Sequence, residues 1–187
     1  MTGISRRDEI GDFLIGTTVE RMIRQADAPV LVVKERGQQH YERRLVATDF
    51  SDCSGWALLT AIEMFPTAEI SLVHAYHVEL EKLRGREGPA AAKQAEIASR
   101  LDAFLEKARL SAEAQARLDV NVDYAGVLAV AKDHVRVNNT DLAVIGTHGR
   151  SALATAIIGS TARALLGSLD CDVLLVRQPA IRNSGKS

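Results

Sequence analysis

Three glycines in the segment "LAVIGTHGRSALATAIIGSTARALL" (residues 142–166) have a spacing that suits phosphate binding. Gly146 ends an apolar run, Gly149 follows three residues later, and Gly159 stands before Ser160 and Thr161. Backbone amides can surround a phosphate where the chain turns without side chains in the way. A helix N-terminus also favours an anion. The segment therefore predicts either a phosphate cradle or a turn followed by a capped helix.

The motif differs from the two best-known nucleotide-binding loops. It has no Gly-Lys-Ser/Thr, as a Walker A loop requires, and no GxGxxG of a dinucleotide fold. A second polar segment, "TDFS", contains Asp49 and Ser51 and follows another apolar run. Both residue types either contact a ligand or begin a helix.

Short apolar runs alternate with helix-compatible segments from residue 43 onward. Strands are predicted over 44–48, 68–78, 118–124, 141–146 and 172–177, and helices over 53–65, 90–117, 127–139 and 160–169. In the first helix, Trp56, Leu59, Ile62 and Met64 fall near helical spacing. Alternating polarity places residues 118–124 near the sheet edge. This order predicts an α/β fold, a doubly wound parallel sheet covered by helices on both faces.

The N-terminus repeats the end of the chain. A shift of 143 residues places Gly3 on Gly146 and Gly16 on Gly159, and nine of the 32 positions in 3–34 are identical. Residues 1–36 are therefore interpreted as the closing helix and strand of a preceding copy, 42–180 as a complete domain, and 181–187 as a tail. Arg6 stands where the complete copy has Gly149, so we expect no nucleotide site in the partial copy.

Charge, hydropathy and cysteine content argue against a nucleic-acid-binding or membrane-spanning protein. The net charge of −1 gives no reason to expect nucleic acid or an anionic membrane as a partner. No apolar run approaches the ~20 residues that span a bilayer, and the polar N-terminus does not resemble a signal peptide. Cys53 and Cys171 are predicted to be reduced, packed thiols without a metal, which favours the cytoplasm.

The motifs together resemble the universal stress protein family, in its nucleotide-binding branch. That branch carries Gly-x2-Gly-x9-Gly-Ser/Thr, matched by Gly146, Gly149, Gly159 and Ser160. It also opens with a strand ending in aspartate and a following serine, as in "LVATDFSDCSGWAL". It closes with a helix and a "PVLVV"-type strand, similar to "CDVLLVR" and, near the N-terminus, "APVLVV".

The resemblance implies a Rossmann-like, five-stranded parallel sheet in the order 3-2-1-4-5, here with an extra N-terminal helix-strand segment. It implies ATP, with Mg²⁺, across the carboxyl ends of the first and fourth strands, in a crevice between Asp49 and Gly146. Thr48, Asp49 and Ala75 would line the adenine and ribose pocket. The ribose and phosphates would be held by Ile145, Gly146, His148, Gly149, Gly159, Ser160 and Thr161. Arg150 would either add charge there or be solvated.

The function that the resemblance implies is ATP binding in a stress response, through nucleotide-dependent binding or signalling. No P-loop lysine or general base is identified, so no catalytic residue is predicted and any hydrolysis would be slow. The alternative is a nucleotide-free dimerisation module of the same fold. The family is commonly dimeric through its last strand, here 173–176, and Val30–Val33 could pair with that strand within one chain or between two.

Overall fold

A computed structural model describes residues 2–3, 21–23, 25–34, 40–76, 88–148 and 158–178. The strands are β1 (Thr2–Gly3), β2 (Val30–Val33), β3 (Arg43–Ala47), β4 (Glu69–Tyr76), β5 (Leu118–Tyr124), β6 (Leu142–Gly146) and β7 (Asp172–Val176). The helices are α1 (Asp52–Met64), α2 (Gly88–Ala108), α3 (Ala112–Ala116), α4 (Val127–Val137) and α5 (Ser160–Ser168). Strands and helices alternate from β3 to β7, as the apolar runs predict.

All seven strands join one mixed sheet in the order β1-β2-β7-β6-β3-β4-β5. The prediction of a five-stranded parallel sheet is wrong in strand number, and the order of the complete sheet therefore differs. Six strands have four or more residues, and β1 adds a two-residue strand. The strands from β3 to β7 are mutually parallel and lie as β5-β4-β3-β6-β7. The strand β5 forms an edge of the sheet, as its alternating polarity predicts.

The additional strands arise because the N-terminal segment folds onto the last strand of the domain. Residues of β2 pair with β7 in antiparallel orientation, and Leu31 lies opposite Leu174. The other edge of β2 pairs with β1 in parallel orientation. Val32 is completely buried, so β2 contributes to the core and is not a loosely attached extension.

The sheet separates two apolar layers, which is the arrangement of a doubly wound fold. On one face, Ala57 and Leu58 of α1 and Phe104 of α2 pack with β-strand residues. On the other, Ala131 of α4 and Leu165 of α5 do the same. No helix in the described ranges is long and apolar enough to cross a membrane.

Two features of the helices differ from what the sequence pattern suggests. Trp56 and Met64 do not form the buried face of α1: they are 40% and 51% exposed. The buried residues of α1 are instead mostly small: Cys53, Ser54, Ala57, Leu58 and Ala61. The single helix predicted over 90–117 is broken, because Arg109 adopts φ 49° and the Ser111 hydroxyl accepts a bond from Ala114 N that begins α3.

The two thiols should react slowly in the folded protein. Cys53 and Cys171 are free and buried, and burial raises the pKa of Cys171 to about 11. Because the thiolate is the reactive form, we expect labelling by a disulfide reagent at pH 8 to be at least about 100-fold slower in native buffer than in denaturant. Two rapidly labelled thiols in native buffer would contradict this packing.

Candidate functional site

The candidate site lies where the central strands of the sheet end. Ala47 of β3 pairs with Ile145 of β6 on one side and with Val73 of β4 on the other. The strands are parallel, so the polar residues that follow β3 and β6 emerge at one edge of the sheet. Ligands of open α/β sheets bind at this carboxyl edge.

The turn after β3 is held by its own side chains. Thr48 N donates to Val73 O at 2.9 Å, and Thr48 Oγ1 accepts a bond from Phe50 N at 3.0 Å. Asp49 Oδ1 accepts a bond from Ser51 N at 3.0 Å. Phe50 has a φ of 61°, a left-handed conformation that is uncommon for a bulky residue. The turn therefore presents the half-buried Asp49 in a fixed position at the sheet edge.

The helices that follow β3 and β6 differ in how their first turns are satisfied. At α1, the Ser51 hydroxyl accepts a bond from Ser54 N, so a side chain already caps the helix. At α5 the N-cap residue is Gly159, and no side-chain hydrogen bond caps the helix. Backbone N–H groups in the first turn of a helix lack intrahelical partners. The N-terminus of α5 can therefore offer N–H donors to an anion.

The start of α5 is fixed to the end of β6. Gly159 N donates to Thr147 O at 2.8 Å, and Thr147 N donates to Val176 O at 2.9 Å. Thr147 is 1% exposed, and its hydroxyl lies 2.9 Å from Nδ1 of His148. These bonds bring Gly146, His148 and Gly159 into one neighbourhood. Gly149 and Arg150 lie outside the described residues.

Gly146 is required by the packing of α1 against β6. A Cβ at this position would lie 3.0 Å from both C and O of Cys53, the second residue of α1. The missing side chain lets α1 approach β6 closely. Sequence reasoning predicted the glycine only as part of a phosphate cradle and did not identify this contact.

The side chains of the predicted site residues differ in how far they are exposed to solvent. Ile145 is 4% exposed and packs in the core, so a ligand could reach only its backbone. Thr48 is buried, with its hydroxyl 3.0 Å from that of Ser54. Ala75 packs partly buried against the core near the end of β4. The exposed residues are Ser160 and Thr161 at the start of α5.

Residues that sequence reasoning missed lie beside Asp49. Arg100, in α2, donates from Nη2 to Asp49 O at 3.1 Å, and its guanidinium lies 5.1 Å from the ring centre of Phe50. Phe50 also packs against His74, whose ring centre is 4.1 Å away, and Phe104, at 5.7 Å. Nδ1 of His74 is 2.8 Å from Thr48 O, so this histidine helps to hold the turn. No sequence motif links Arg100 to a turn 51 residues away.

No group of three or more His, Cys, Asp or Glu side chains in the described part of the chain is arranged to hold a metal ion. A cleft of about 390 Å³ opens at the opposite end of the sheet, between α4 and the start of β7. Its lining includes Lys132, Asp141 and Cys171 but none of the predicted site residues.

A statistical model of the universal stress protein family matches residues 40–177. The chain belongs to the universal stress protein family. The match covers β3 to β7 and both polar turns at the carboxyl edge. No curated protein sequence matches significantly.

Solved structures of universal stress proteins have the same fold. A universal stress protein from Pseudomonas aeruginosa UCBPP-PA14 superposes with a TM-score of 0.67 at 18% identity, covering 94% of this chain and 62% of that chain. UspA from Lactobacillus plantarum gives 0.58 at 21% identity, covering 75% of this chain and 100% of that chain. A universal stress protein solved in complex with cAMP superposes with a TM-score of 0.51 at 22% identity, covering 73% of this chain and 97% of that chain.

Proposed function

We propose that this universal stress protein binds ATP and acts in a stress response by nucleotide-dependent binding or signalling. The observation that carries the proposal is the meeting of two features at one sheet edge. The Asp49 turn follows β3, and the α5 N-terminus without a side-chain cap is bonded to the end of β6, the neighbour of β3. One feature offers a hydrogen-bond acceptor, and the other offers N–H donors to an anion.

The residues present fit an adenine nucleotide. Thr48, Asp49 and Ala75 would face the adenine and ribose, with Thr48 and Ala75 contributing mainly backbone and methyl surface. His148 and the backbone of residues 145–146 would lie beside the ribose and first phosphate. The other phosphates would lie against residues 159–161, with Gly149 and Arg150 completing the proposed set. Mg²⁺ would be held chiefly by the phosphates, because no cluster of metal ligands is found in the described residues.

The proposal assigns no catalytic residue. Nδ1 of His148 is 2.9 Å from the Thr147 hydroxyl. When bound, ATP would supply a triphosphate whose charge distinguishes it from its hydrolysis products. The chain would bind and orient it. The two free thiols favour a cytoplasmic location.

The universal stress protein solved with cAMP supports nucleotide chemistry on this fold. At 22% identity the likeness extends to the fold alone, so the choice of ATP rests on the glycine spacing and the α5 N-terminus. ATP has two more phosphates than cAMP, and the second and third would lie against α5. We therefore expect ATP to compete effectively against cAMP for this chain.

Equilibrium dialysis with labelled ATP, with and without Mg²⁺, tests the proposal. Wild-type chain should bind one ATP, and Asp49→Ala should bind it about tenfold more weakly, a loss of about 1.4 kcal/mol. Asp49→Ala also removes the bond to Ser51 N, so Ser51→Ala, which disturbs the same turn, is the control. It removes the α1 cap without removing the proposed acceptor. Equal losses in both variants, or no binding at millimolar ATP, would contradict the proposal.

A nucleotide-free assembly module is the second candidate function. The observation that favours it is the pairing of β2 with β7, which shows that the β7 edge accepts a strand. A homodimer through β7 would require β2 to leave that edge or to be exchanged between chains. Sedimentation of the full chain over a wide concentration range tests this candidate, which predicts a dimer and no bound ATP.

The division of the chain into a partial module (1–36), a complete domain (42–180) and a tail (181–187) belongs to the same proposal. UspA from Lactobacillus plantarum matches 75% of this chain over its own full length. The Pseudomonas aeruginosa structure instead matches 94% of it, yet this chain spans only 62% of that longer protein. This pattern supports a complete domain joined to part of a second one.

A further inference from the structure

The strand pairings on the two sides of the contact between β2 and β7 are equivalent to each other. Under the 143-residue repeat, Thr2, Gly3, Val32 and Val33 correspond to Ile145, Gly146, Leu175 and Val176. Thr2 pairs with Val32 and Gly3 with Val33 in parallel orientation. The corresponding residues pair in the same register, Ile145 with Leu175 and Gly146 with Val176. The N-terminal segment thus reproduces the β6–β7 pairing of the complete domain.

The register across β2 and β7 is self-complementary. Leu31 lies opposite Leu174, which is its own equivalent in the repeat. Val30 lies opposite Leu175 and Val32 opposite Val173, so exchanging the two copies returns the same pairs. This is the pattern of an isologous two-fold contact, in which residue i faces j and j faces i. The edge of β7 that β2 covers would therefore also fit the β7 strand of a second copy.

A buried carboxylate fixes β2 on this edge. Asp172, 2% exposed, accepts from Lys34 N through Oδ1 and from the Tyr41 hydroxyl through Oδ2, each at 2.7 Å. Burial and the bond to Asp172 raise the pKa of Tyr41, which keeps the hydroxyl protonated as a donor. The Lys34 ammonium also donates to Leu169 O at 2.5 Å. We call this set of contacts the Asp172 clasp.

The clasp favours pairing within one chain. Lys34 and Tyr41 stand on either side of residues 35–40, and both donate to the same carboxylate. A strand tethered by so short a connection is present at a high effective concentration, which a separate copy cannot match at ordinary protein concentrations. Departure of β2 from this edge would have to break the bond from Lys34 N to a buried carboxylate.

We infer that residues 30–34 are a built-in cap of the β7 edge, held by the Asp172 clasp, which excludes the β7 strand of a second copy. An uncovered, apolar sheet edge invites pairing with other chains. Here the segment closes the edge with a copy of the strand that the edge would otherwise bind. The inference does not depend on nucleotide binding.

Disulfide trapping tests the cap in the full chain. In a Cys53→Ala/Cys171→Ala background, Leu31→Cys with Leu174→Cys should oxidise to an intramolecular disulfide, because directly opposed strand residues have Cβ atoms about 4.5–5.5 Å apart. Leu174→Cys alone should give less than about one tenth as much covalent dimer as the double variant gives monomeric disulfide. Efficient dimer from the single variant, or only intermolecular disulfide from the double variant, would overturn the inference.

The clasp itself is tested by adding Tyr41→Phe or Asp172→Asn to the single Leu174→Cys variant. Either should raise the yield of covalent dimer about tenfold, because β2 leaves the edge more often. Tyr124→Phe, on β5 at the far edge of the sheet, is the matched control and should leave the yield unchanged. An unchanged yield in both clasp variants would overturn the clasp.

Hydrogen exchange provides a measurement that needs no variant. The ladder amides of β2 and β7 should be protected equally at low and high protein concentration, because the pairing is intramolecular. Protection that appears only at high concentration would assign the contact to two chains and overturn the inference.

Discussion

Gly159→Asp should lower the affinity for ATP about 100-fold without destabilising the fold, a loss of about 2.7 kcal/mol in binding. Gly159 is the N-cap of α5, with extended backbone angles of φ −57° and ψ 151° and no side-chain cap. An aspartate there would accept hydrogen bonds from the first-turn amides and place a negative charge where the phosphates are proposed to bind. It would therefore compete with them for the same donors.

The same substitution should leave the free energy of unfolding unchanged or raise it by a few tenths of a kcal/mol, because aspartate is a better N-cap than glycine. A Cβ at Gly159 would lie 3.4 Å from Thr147 O, an ordinary contact. Opposite effects on binding and stability separate a lost site from a lost fold. Titration calorimetry and thermal unfolding measure the two quantities.

Gly126 offers a matched control for this prediction. It is the N-cap of α4, again without a side-chain cap, and a Cβ there would meet nothing within 4 Å. Gly126→Asp should therefore give the same small stabilisation and leave the affinity for ATP unchanged. Gly159→Asn, which keeps the shape and removes the charge, should weaken binding less than Gly159→Asp. Equal affinity of Gly159→Asp and wild type would contradict the proposed phosphate position.

Gly146→Ala should lower the free energy of unfolding by about 1–3 kcal/mol, the usual cost of forcing a methyl group into a close-packed contact. The new Cβ would lie 3.0 Å from C and O of Cys53 and 3.1 Å from its Sγ. Because two of these three atoms belong to the backbone, α1 or β6 has to shift. Chemical denaturation, analysed by two-state extrapolation, measures the change.

Two further variants identify the cause. Adding Cys53→Ala should recover less than half of the loss, since the backbone contacts remain. A Cβ at Gly55, in α1, would lie 3.5 Å from one atom of Phe104, so a methyl group fits there without strain. Gly55→Ala should therefore stabilise the protein by about 0.5–1 kcal/mol, because alanine has the higher helix propensity. If Gly146→Ala were as stable as wild type, close approach of α1 would not be the reason for this glycine.

Much of the domain could be predicted because its strands are buried on both faces. The run before Gly146 and the run 173–176 consist of apolar residues, and both were predicted as strands and observed as such. The face of α1 could not be predicted in this way. Its contact with the sheet uses small residues, so the large apolar Trp56 and Met64 indicated the wrong face.

Other features depend on contacts between distant parts of the chain. In the sequence, the break between α2 and α3 is indicated only by Ser111, a residue type that also occurs inside helices. Nothing in the sequence predicts the left-handed conformation of Arg109. Likewise, repeat spacing indicated that β2 resembles β7, but not which strand it pairs with or in which direction. At the site, the glycine spacing and Asp49 were visible in the sequence, whereas Arg100 and the packing of Gly146 against Cys53 required the fold.

An amide NMR titration of the ¹⁵N-labelled full chain with ATP and Mg²⁺ tests the central claim most directly. The proposal predicts saturable shifts at residues 48–49, 75, 145–149 and 159–161, which come from four separate parts of the sequence. The amides of α3, and those of Asp170 and Cys171 at the opposite end of the sheet, should not shift. No shifts at millimolar ATP, or shifts confined to residues outside the carboxyl edge of the sheet, would contradict ATP binding at this site.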